Sequence, residues 1–412
     1  MDKLAELASE TSDRFQRKRE TILEAAAELI NARGLKGLTF VGVAKAVDLN
    51  TTSITYYFKR KEQLASEAMA RSLSLLEETI EQASKAQTPQ ARVLAYLDIH
   101  FDLAKKIALN EMPAPTILSE LRALEEPMRS DLIERYRKII ARTANFFEPL
   151  DDRQSYALNY ARAHVLLDVV HWKKAWLPKY SLDDFDRVKS WMFDLFANGL
   201  AKPSAAWAPE FHQIDAEETG DEISRETFLR AATLLINERG YRGSSVERIA
   251  AKLNVSKGSF YHHLDGKDGL VLDCFDRSYD RVSRAQRLAI NMDGSYWQKL
   301  SSAIATLLAV QFEGAFPLMR ITALQALPAE LRGDVVQRSD RMAQRFAGLI
   351  IDGIAEGTMR PTDPIIASQC IMSLLNSAFD FHRWAELRGS RDEAVSLYAS
   401  TLAFGLFSNP KT

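Results

Sequence analysis

Apolar residues recur along this chain at intervals of three and four and almost nowhere alternate. Ile22, Ala25, Ala26, Leu29 and Ile30 follow the i, i+3, i+4, i+7, i+8 rule of an amphipathic helix. Gly34 stands where a left-handed C′ residue closes such a helix. Thr39 is placed to cap a second, short helix carrying Val43 and Val47. Asp48-Leu49-Asn50 breaks the pattern, and Asn50 caps a third helix over Thr51–Tyr57. Lys59-Arg60-Lys61-Glu62 then opens a long fourth helix with Leu64, Ala68, Leu73, Leu76 and Ile80 on one face. Residues 1–13 read as a frayed polar lead-in.

The pattern returns 206 residues later without a gap. Phe228, Ala231, Ala232, Leu235 and Ile236 repeat the first helix, and Arg239-Gly240 repeats Arg33-Gly34. Gly243 matches Gly37, Ser245 replaces Thr39 as a cap, Ile249-Ala250 replaces Val43-Ala44, and Ser256 replaces Asn50. Roughly a third of positions are identical over about 45 residues, which helical composition alone does not produce. The ends of the copies correspond more loosely, through Asp168-x-x-x-Trp172 with Asp380-x-x-x-Trp384 and Gly199-Leu200 with Gly405-Leu406. The chain is a tandem duplication of an all-α unit: an N-terminal three-helix head followed by a helical body, twice. The boundaries expected are head 14–60, body 61–200, linker 201–221, head 222–266 and body 267–412. The linker carries Pro203, Pro209 and Gly220 and has an acidic second half, with Trp207 and Phe211 as candidate anchors to a surface.

Composition adds limits rather than identity. The 412 residues are 46% hydrophobic, enough for several cores, and the net charge of −2 gives no sign of a nucleic-acid binder. Its distribution does. Arg19 to Lys61 is net +3 and Arg225 to Lys267 net +4, leaving −9 for the remainder. Cys274 and Cys370 do not make a disulfide framework, and no apolar run reaches the ~20 residues of a membrane span. A reduced, cytoplasmic protein is expected, with no membrane partner.

In each copy a small residue, Ala44 or Ala250, lies where the second helix must approach the third, and the third presents polar and aromatic groups. That is the arrangement of a helix-turn-helix. Thr39-x-x-x-Val43-Ala44 followed by Tyr57-Phe58-x-x-Lys61-Glu62-x-Leu64 resembles the tetracycline-repressor (TetR) family. So does Ser245-x-x-x-Ile249-Ala250 followed by Val255-Ser256-Lys257-Gly258-Ser259-Phe260-Tyr261-His262-His263-Leu264-x-x-Lys267. The first copy departs from the family at Asn50-Thr51-Thr52, where Ser-Lys-Gly is usual. The resemblance implies a ligand pocket in the body, dimerisation through the last two helices, and major-groove contacts from the third helix. By position those contacts fall to Thr51, Thr52, Ser53, Thr55, Tyr56 and Tyr57, and to Lys257, Gly258, Ser259, Tyr261, His262 and His263. Lys61 and Lys267 would hold phosphate at the start of the fourth helix.

The expected function is a sequence-specific regulator of transcription, a repressor by family habit, that binds a double-stranded DNA operator. A small apolar or aromatic effector would release it. With both heads on one chain, a monomeric pseudo-dimer is expected. It would be built from residues 158–176 and 188–200 against 365–384 and 395–407; a homodimer is the other arrangement. The alternative is a ligand-binding or scaffold protein in which one or both heads no longer bind DNA. The basic run Arg14-Phe15-Gln16-Arg17-Lys18-Arg19 is either a solvated helix start or an arm on phosphates. His164, Asp168 and His171 share a helix face, but a metal site is not read there. His100, Phe101, Tyr136 and Arg162, and Phe312, Phe316 and Arg320, are placed on body helices without a ligand role. Nucleophile-elbow, P-loop, dinucleotide and zinc-protease motifs are absent, so no enzyme and no cofactor is expected.

Overall fold

The strong helix formers Ala, Leu, Glu, Gln and Arg dominate the chain, and most of the residues that the computed structural model describes are helical. It describes residues 2–148, 153–215, 224–240, 244–263, 267–320, 323–324, 327 and 329–409. Within these, the side chains of 2–12, 36, 153–155, 262–263, 267–268 and 329–330 are not described. Among the described residues the one piece of β pairing is an isolated antiparallel bridge between Ala201 and Met359. The chain divides into two compact units, residues 1–79 with 105–139, and residues 80–104 with 140–412.

The first unit opens with α1 (Asp2–Gly37), whose backbone breaks at Gly34 (φ 64°, ψ 179°). The polar lead-in is thus helical rather than frayed, because Leu4, Ala5, Glu6, Leu7 and Ala8 are all good helix formers. Thr39 Oγ1 accepts from Gly42 N–H at 3.0 Å and starts α2 (Phe40–Ala46). Asn50 Oδ1 accepts from Ser53 N–H at 2.7 Å and starts α3 (Thr51–Tyr57). The fourth helix, α4 (Lys61–Ser84), follows at once. Ile22, Ala26, Ile30, Leu38, Val43, Ile54, Phe58 and Leu64 bury their side chains almost completely and form one core. Asn31 joins this head to the segment after α5 (Pro89–Ala108). Its amide donates to Pro115 O at 3.0 Å, and its carbonyl accepts from Ile117 N–H at 2.9 Å.

In the second unit α7 (Arg153–Trp172) and α8 (Phe185–Asn198) pack on α15 (Pro364–Ser377) and α17 (Arg391–Ala403). These are the four segments that the sequence pairs. The helix expected to reach Phe407 stops at Ala403, where Gly405 takes φ 88°. Leu200 N–H donates to Leu402 O and Ala403 O, and Leu406 N–H donates to Phe196 O at 2.7 Å.

The same unit holds the second head. Ser224 and Thr227 make a capping box at the start of α9 (Arg225–Arg239). Then come α10 (Val246–Lys252), α11 (Lys257–His263) and α12 (Lys267–Asn291). Asn237, 206 residues after Asn31, clamps Leu318 O at 2.9 Å and Arg320 N–H at 3.1 Å. Phe312 lies on α13 (Tyr296–Glu313), but Phe316 and Arg320 lie past Gly314, whose left-handed backbone (φ 68°) ends that helix. They are therefore loop residues, not helix residues.

Residues 201–215 of the linker lie as a strap along α12 and α13. Trp297 Nε1 donates to Ala206 O, Glu210 N–H to Ser302 Oγ, and His212 N–H to Thr306 Oγ1. Arg284 donates to Ile214 O at 2.9 Å, and Asp215 pairs with Arg277 and Arg281. Trp207 meets Trp297 edge-on, and the Arg391 guanidinium lies over Phe211, so both aromatic anchors are engaged. Residues 216–221 of the linker, with Gly243 and Leu264 of the second motif, lie outside the described residues.

Candidate nucleic-acid interface

The turn between the second and third helices is the same in both heads. Asp48 (φ 52°) and Asn254 (φ 56°) occupy the left-handed region, where Asp and Asn are the best tolerated residues with a side chain. The reversal lets Leu49 N–H reach back to Ala44 O (2.9 Å) and Val255 N–H to Ala250 O (3.0 Å). These bonds satisfy carbonyls at the helix end and aim the third helix outward. Ala44 and Ala250 are buried at 4% and 3% exposure, on helices that pack against the third helix of each head.

On α3 the inward face is Ile54 and the C-cap Phe58, both fully buried. Thr51, Thr52 and Tyr56 are exposed, Tyr56 at 66%. Ser53, Thr55 and Tyr57 are half-buried. Ser53 spends its hydroxyl on Asn50 Oδ1 and Thr55 donates to Thr52 O, so these two hold the helix start as well as facing outward. Phe15 of α1 lies tilted against Tyr57 at 4.7 Å and meets Tyr56 edge-on at 6.0 Å. Apolar spacing does not report that clasp, although Phe15 sits inside the basic run that the sequence singles out. Within the run, Arg14, Arg17 and Lys18 are exposed, while Arg19 pairs with Glu67 and lies over the Phe58 ring. Lys61 is half-buried at the first position of α4, next to exposed Lys59 and Arg60.

On α11 Phe260 is fully buried and meets Phe228 edge-on, which anchors the helix to the head. Lys257, Gly258 and Tyr261 are exposed, Tyr261 at 53%, and Ser259 is half-buried. Ser256 Oγ accepts from Ser259 N–H at 3.2 Å and caps the helix. A methyl group at Gly258 would meet nothing nearer than Ser256 Oγ at 3.6 Å, so the fold does not require this glycine. The side chains of His262, His263 and Lys267 lie outside the described residues, although their backbones belong to α11 and α12.

The two faces differ in charge. Lys257 pairs with Glu247 on α10, and that hydrogen bond is the main cause holding the Glu247 carboxyl down at about 2. At the corresponding positions the first head has Thr51 and Val41, and Val41 is 69% exposed. The first face is thus neutral and apolar where the second carries an ion pair.

His164 and Arg162 are both held by partners within the fold. His164 is buried, with Nδ1 3.0 Å from Tyr398 Oη and its ring stacked on Phe381. Arg162 donates to Asn159 Oδ1 and Ser408 O. Among the described residues no group of three or more His, Cys, Asp or Glu side chains is placed to hold a metal ion. Nor is any helix long and apolar enough to cross a membrane.

This geometry defines a helix-turn-helix protein that carries its motif twice. Residues 22–68 and 228–274 each match the family described as bacterial regulatory proteins, tetR family. Residues 293–405 match the tetracyclin repressor-like C-terminal domain. The chain belongs to the tetR family. It is 36% identical over 50 residues to the Transposon Tn10 TetC protein of Escherichia coli, covering 12% of this chain and 25% of TetC. It is 29% identical over 85 residues to the probable HTH-type transcriptional regulator YttP of Bacillus subtilis, covering 21% of this chain and 41% of YttP. The chain thus spans between a quarter and two fifths of the length of these relatives. Among solved structures, AibR in complex with isovaleryl coenzyme A and operator DNA aligns at 19% identity and TM-score 0.37. That alignment covers 43% of this chain and 97% of AibR.

Proposed function

We propose that this regulator reads a double-stranded DNA operator with both heads of a single chain, as a pseudo-dimer, and represses until an effector binds a body. The observation that carries the reading is the turn built at Asp48 and again at Asn254, each presenting an exposed helix start and an exposed tyrosine. The contact residues are Thr51, Thr52, Ser53, Thr55, Tyr56 and Tyr57 on one head, and Lys257, Gly258, Ser259, Tyr261, His262 and His263 on the other. Lys61 and Lys267 take phosphate. The reciprocal bonds of Leu200 and Leu406 support pairing of the copies within one chain, since a two-fold interface uses one patch twice. Because the faces differ at Val41/Glu247 and Thr51/Lys257, the operator has two unlike half-sites about one turn, ~34 Å, apart.

Selection of bound duplexes from a random pool by the full chain at fixed salt tests this. Two unlike half-sites one turn apart are expected. A single half-site would mean that one head is silent, and a palindrome that two chains pair through one kind of head. No enrichment and no salt-sensitive binding would leave a ligand-binding or scaffold protein.

A further inference from the structure

Lys173, the first residue after α7, is a buried cation without a counter-ion among the described residues. It is 7% exposed and forms no ion pair among the described residues. Its ammonium makes one long hydrogen bond, 3.4 Å to Val170 O one turn back, and sits 5.6 Å from the Phe101 ring centre. Lysine has three donors, so the group is under-satisfied by geometry alone. A buried charge left this way either loses its proton or gains an anion. Nearby on α5, the His100 ring lies tilted against Tyr96 at 4.4 Å and has its Nε2 buried without a partner. Trp172 Nε1, one residue before Lys173, is also buried without a partner. These donors stand among aromatic rings.

The second copy lacks the arrangement. In the Asp-x-x-x-Trp alignment Lys173 corresponds to Ala385, which is buried. At the 206-residue offset His100 corresponds to Thr306, whose hydroxyl already accepts from the strap at His212 N–H.

We infer that the first body holds an anion subsite, absent from the second, in which Lys173 with His100 takes the carboxylate of a small aromatic or apolar monocarboxylic acid. One uncompensated positive charge matches one negative charge, and the Phe101 and Tyr96 rings suit an apolar remainder. A phosphate dianion would bring a second charge that this site does not balance. The assignment rests on the reading that a body takes the effector. It revises the effector from merely apolar or aromatic to acidic, with one site per chain.

The titratable groups around the site set its pH response. Burial first, then Lys174, pushes the Lys173 ammonium down to about 7. Burial and Lys173 push His100 down. Lys174 and burial push His171 down, and Lys174 donates to His171 Nε2 at 2.9 Å. Asp168, on the same helix, faces His164 and raises Tyr96, adding to the effect of burial there. A bound carboxylate favours protonated Lys173, so binding takes up a proton and strengthens as pH falls through 7.

Calorimetric titration of the full chain with sodium benzoate, benzamide and inorganic phosphate, at pH 6 and pH 8, tests the inference. Benzoate is expected to bind once per chain, about tenfold tighter at pH 6, with benzamide and phosphate at least tenfold weaker. Lys173→Met is expected to lose tenfold or more in benzoate affinity while binding the selected operator as the wild type does. Benzoate affinity unchanged in Lys173→Met, equal at the two pH values, or exceeded by phosphate would overturn it. So would no benzoate binding by protein that still binds its operator. If Lys173→Met does not fold, the wild-type pH dependence decides alone. Protein that binds benzoate in this manner but selects no DNA would sink the operator reading and leave this one standing.

Discussion

Leu200 and Leu406, 206 residues apart, each donate an equivalent hydrogen bond to the other copy's chain. Leu200 N–H donates to Leu402 O, and Leu406 N–H donates to Phe196 O, which is Leu402 less 206. Gly199 and Gly405 beside them have positive φ, 68° and 88°, and each brings its backbone against the other copy's chain. A methyl group at Gly405 would meet Ala197 O at 2.7 Å and Phe196 O at 2.9 Å, both backbone atoms that cannot swing aside. Gly405→Ala therefore combines a left-handed alanine, about 1–2 kcal/mol, with forced separation of the strands of contact. The expected result is a loss of at least 2 kcal/mol in urea unfolding. Wild-type stability in the double variant Gly199→Ala/Gly405→Ala would remove this junction from the account of how the copies pair.

Asn31 and Asn237 are the second symmetric device. Asn237 is 2% exposed, and its amide supplies partners for both Leu318 O and Arg320 N–H. Asn237→Ala orphans a buried carbonyl and a buried N–H, at about 1–3 kcal/mol each before relaxation. Asn31→Ala should cost less, because Asn31 is only half-buried. Denaturant midpoints will order the two. Since each clamp joins a head to the loop of its body, weaker effector release of operator is expected in both variants. Arg320 adds reach, because its guanidinium pairs with Asp380 between α15 and α16 (His382–Glu386).

How much of this the sequence showed depends on distance along the chain. The heads were legible because their signals are local: apolar spacing, a cap at Thr39 or Ser245, and a break at Asp48-Leu49-Asn50. The interface segments were legible because Gly199-Leu200 repeats as Gly405-Leu406. Asn31 and Asn237 fall at the same offset, yet their role depends on backbone some 80 residues away, which no local pattern reports. In the sequence Phe15 stands out by its basic neighbours, because its ring's partners, Tyr56 and Tyr57, lie on another helix. Composition identified a linker over 201–221, but not that its peptide groups would find Ser302 and Thr306. Nothing in the sequence sets Lys173 apart from Lys174 beside it, since burial is a property of the packed fold.

The strap has its own test. Asp215 pairs with Arg277 and Arg281, and Arg277 also pairs with Glu226 on α9. The Arg281 side chain is 6% exposed and keeps a hydrogen bond to Phe316 O if the carboxylate goes. Asp215→Asn leaves a buried guanidinium under-compensated, and a loss toward the lower end of ~3–5 kcal/mol is expected. Limited proteolysis should then cut within 201–215 faster than in wild type. Unchanged cutting and an unchanged denaturant midpoint would mean that Asp215 is not what fastens the strap.

On the DNA face the two heads are expected to fail separately. Tyr56→Ala should weaken one half-site and Tyr261→Ala the other, each by about 1–3 kcal/mol if the ring reaches base edges. Lys61→Ala should weaken all sequences alike and lower the salt slope of log K by about one. Gly258→Ala fits the fold sterically and favours the helix by roughly 0.5–1 kcal/mol. It should therefore unfold at or above the wild-type temperature while losing operator affinity, which separates close approach to DNA from stability. Equal loss at both half-sites from either tyrosine variant would contradict independent reading.

Lys173 also makes a stability prediction that needs no ligand. Its folded-state ammonium titrates at about 7, below the ordinary value of 10.5. Between these values the unfolded chain holds the proton and the folded chain does not, so stability rises with pH across that window. Below 7 both states are protonated, and the folded state carries the full cost of an unpaired buried charge. Lys173→Met removes the charge at nearly constant volume. It should raise stability at pH 6 by on the order of a few kcal/mol, and by much less at pH 10. Urea unfolding at both pH values, wild type against variant, measures the difference. A variant less stable than wild type at pH 6 would mean that the ammonium has a counter-charge in the folded protein, and the anion subsite would lose its physical basis.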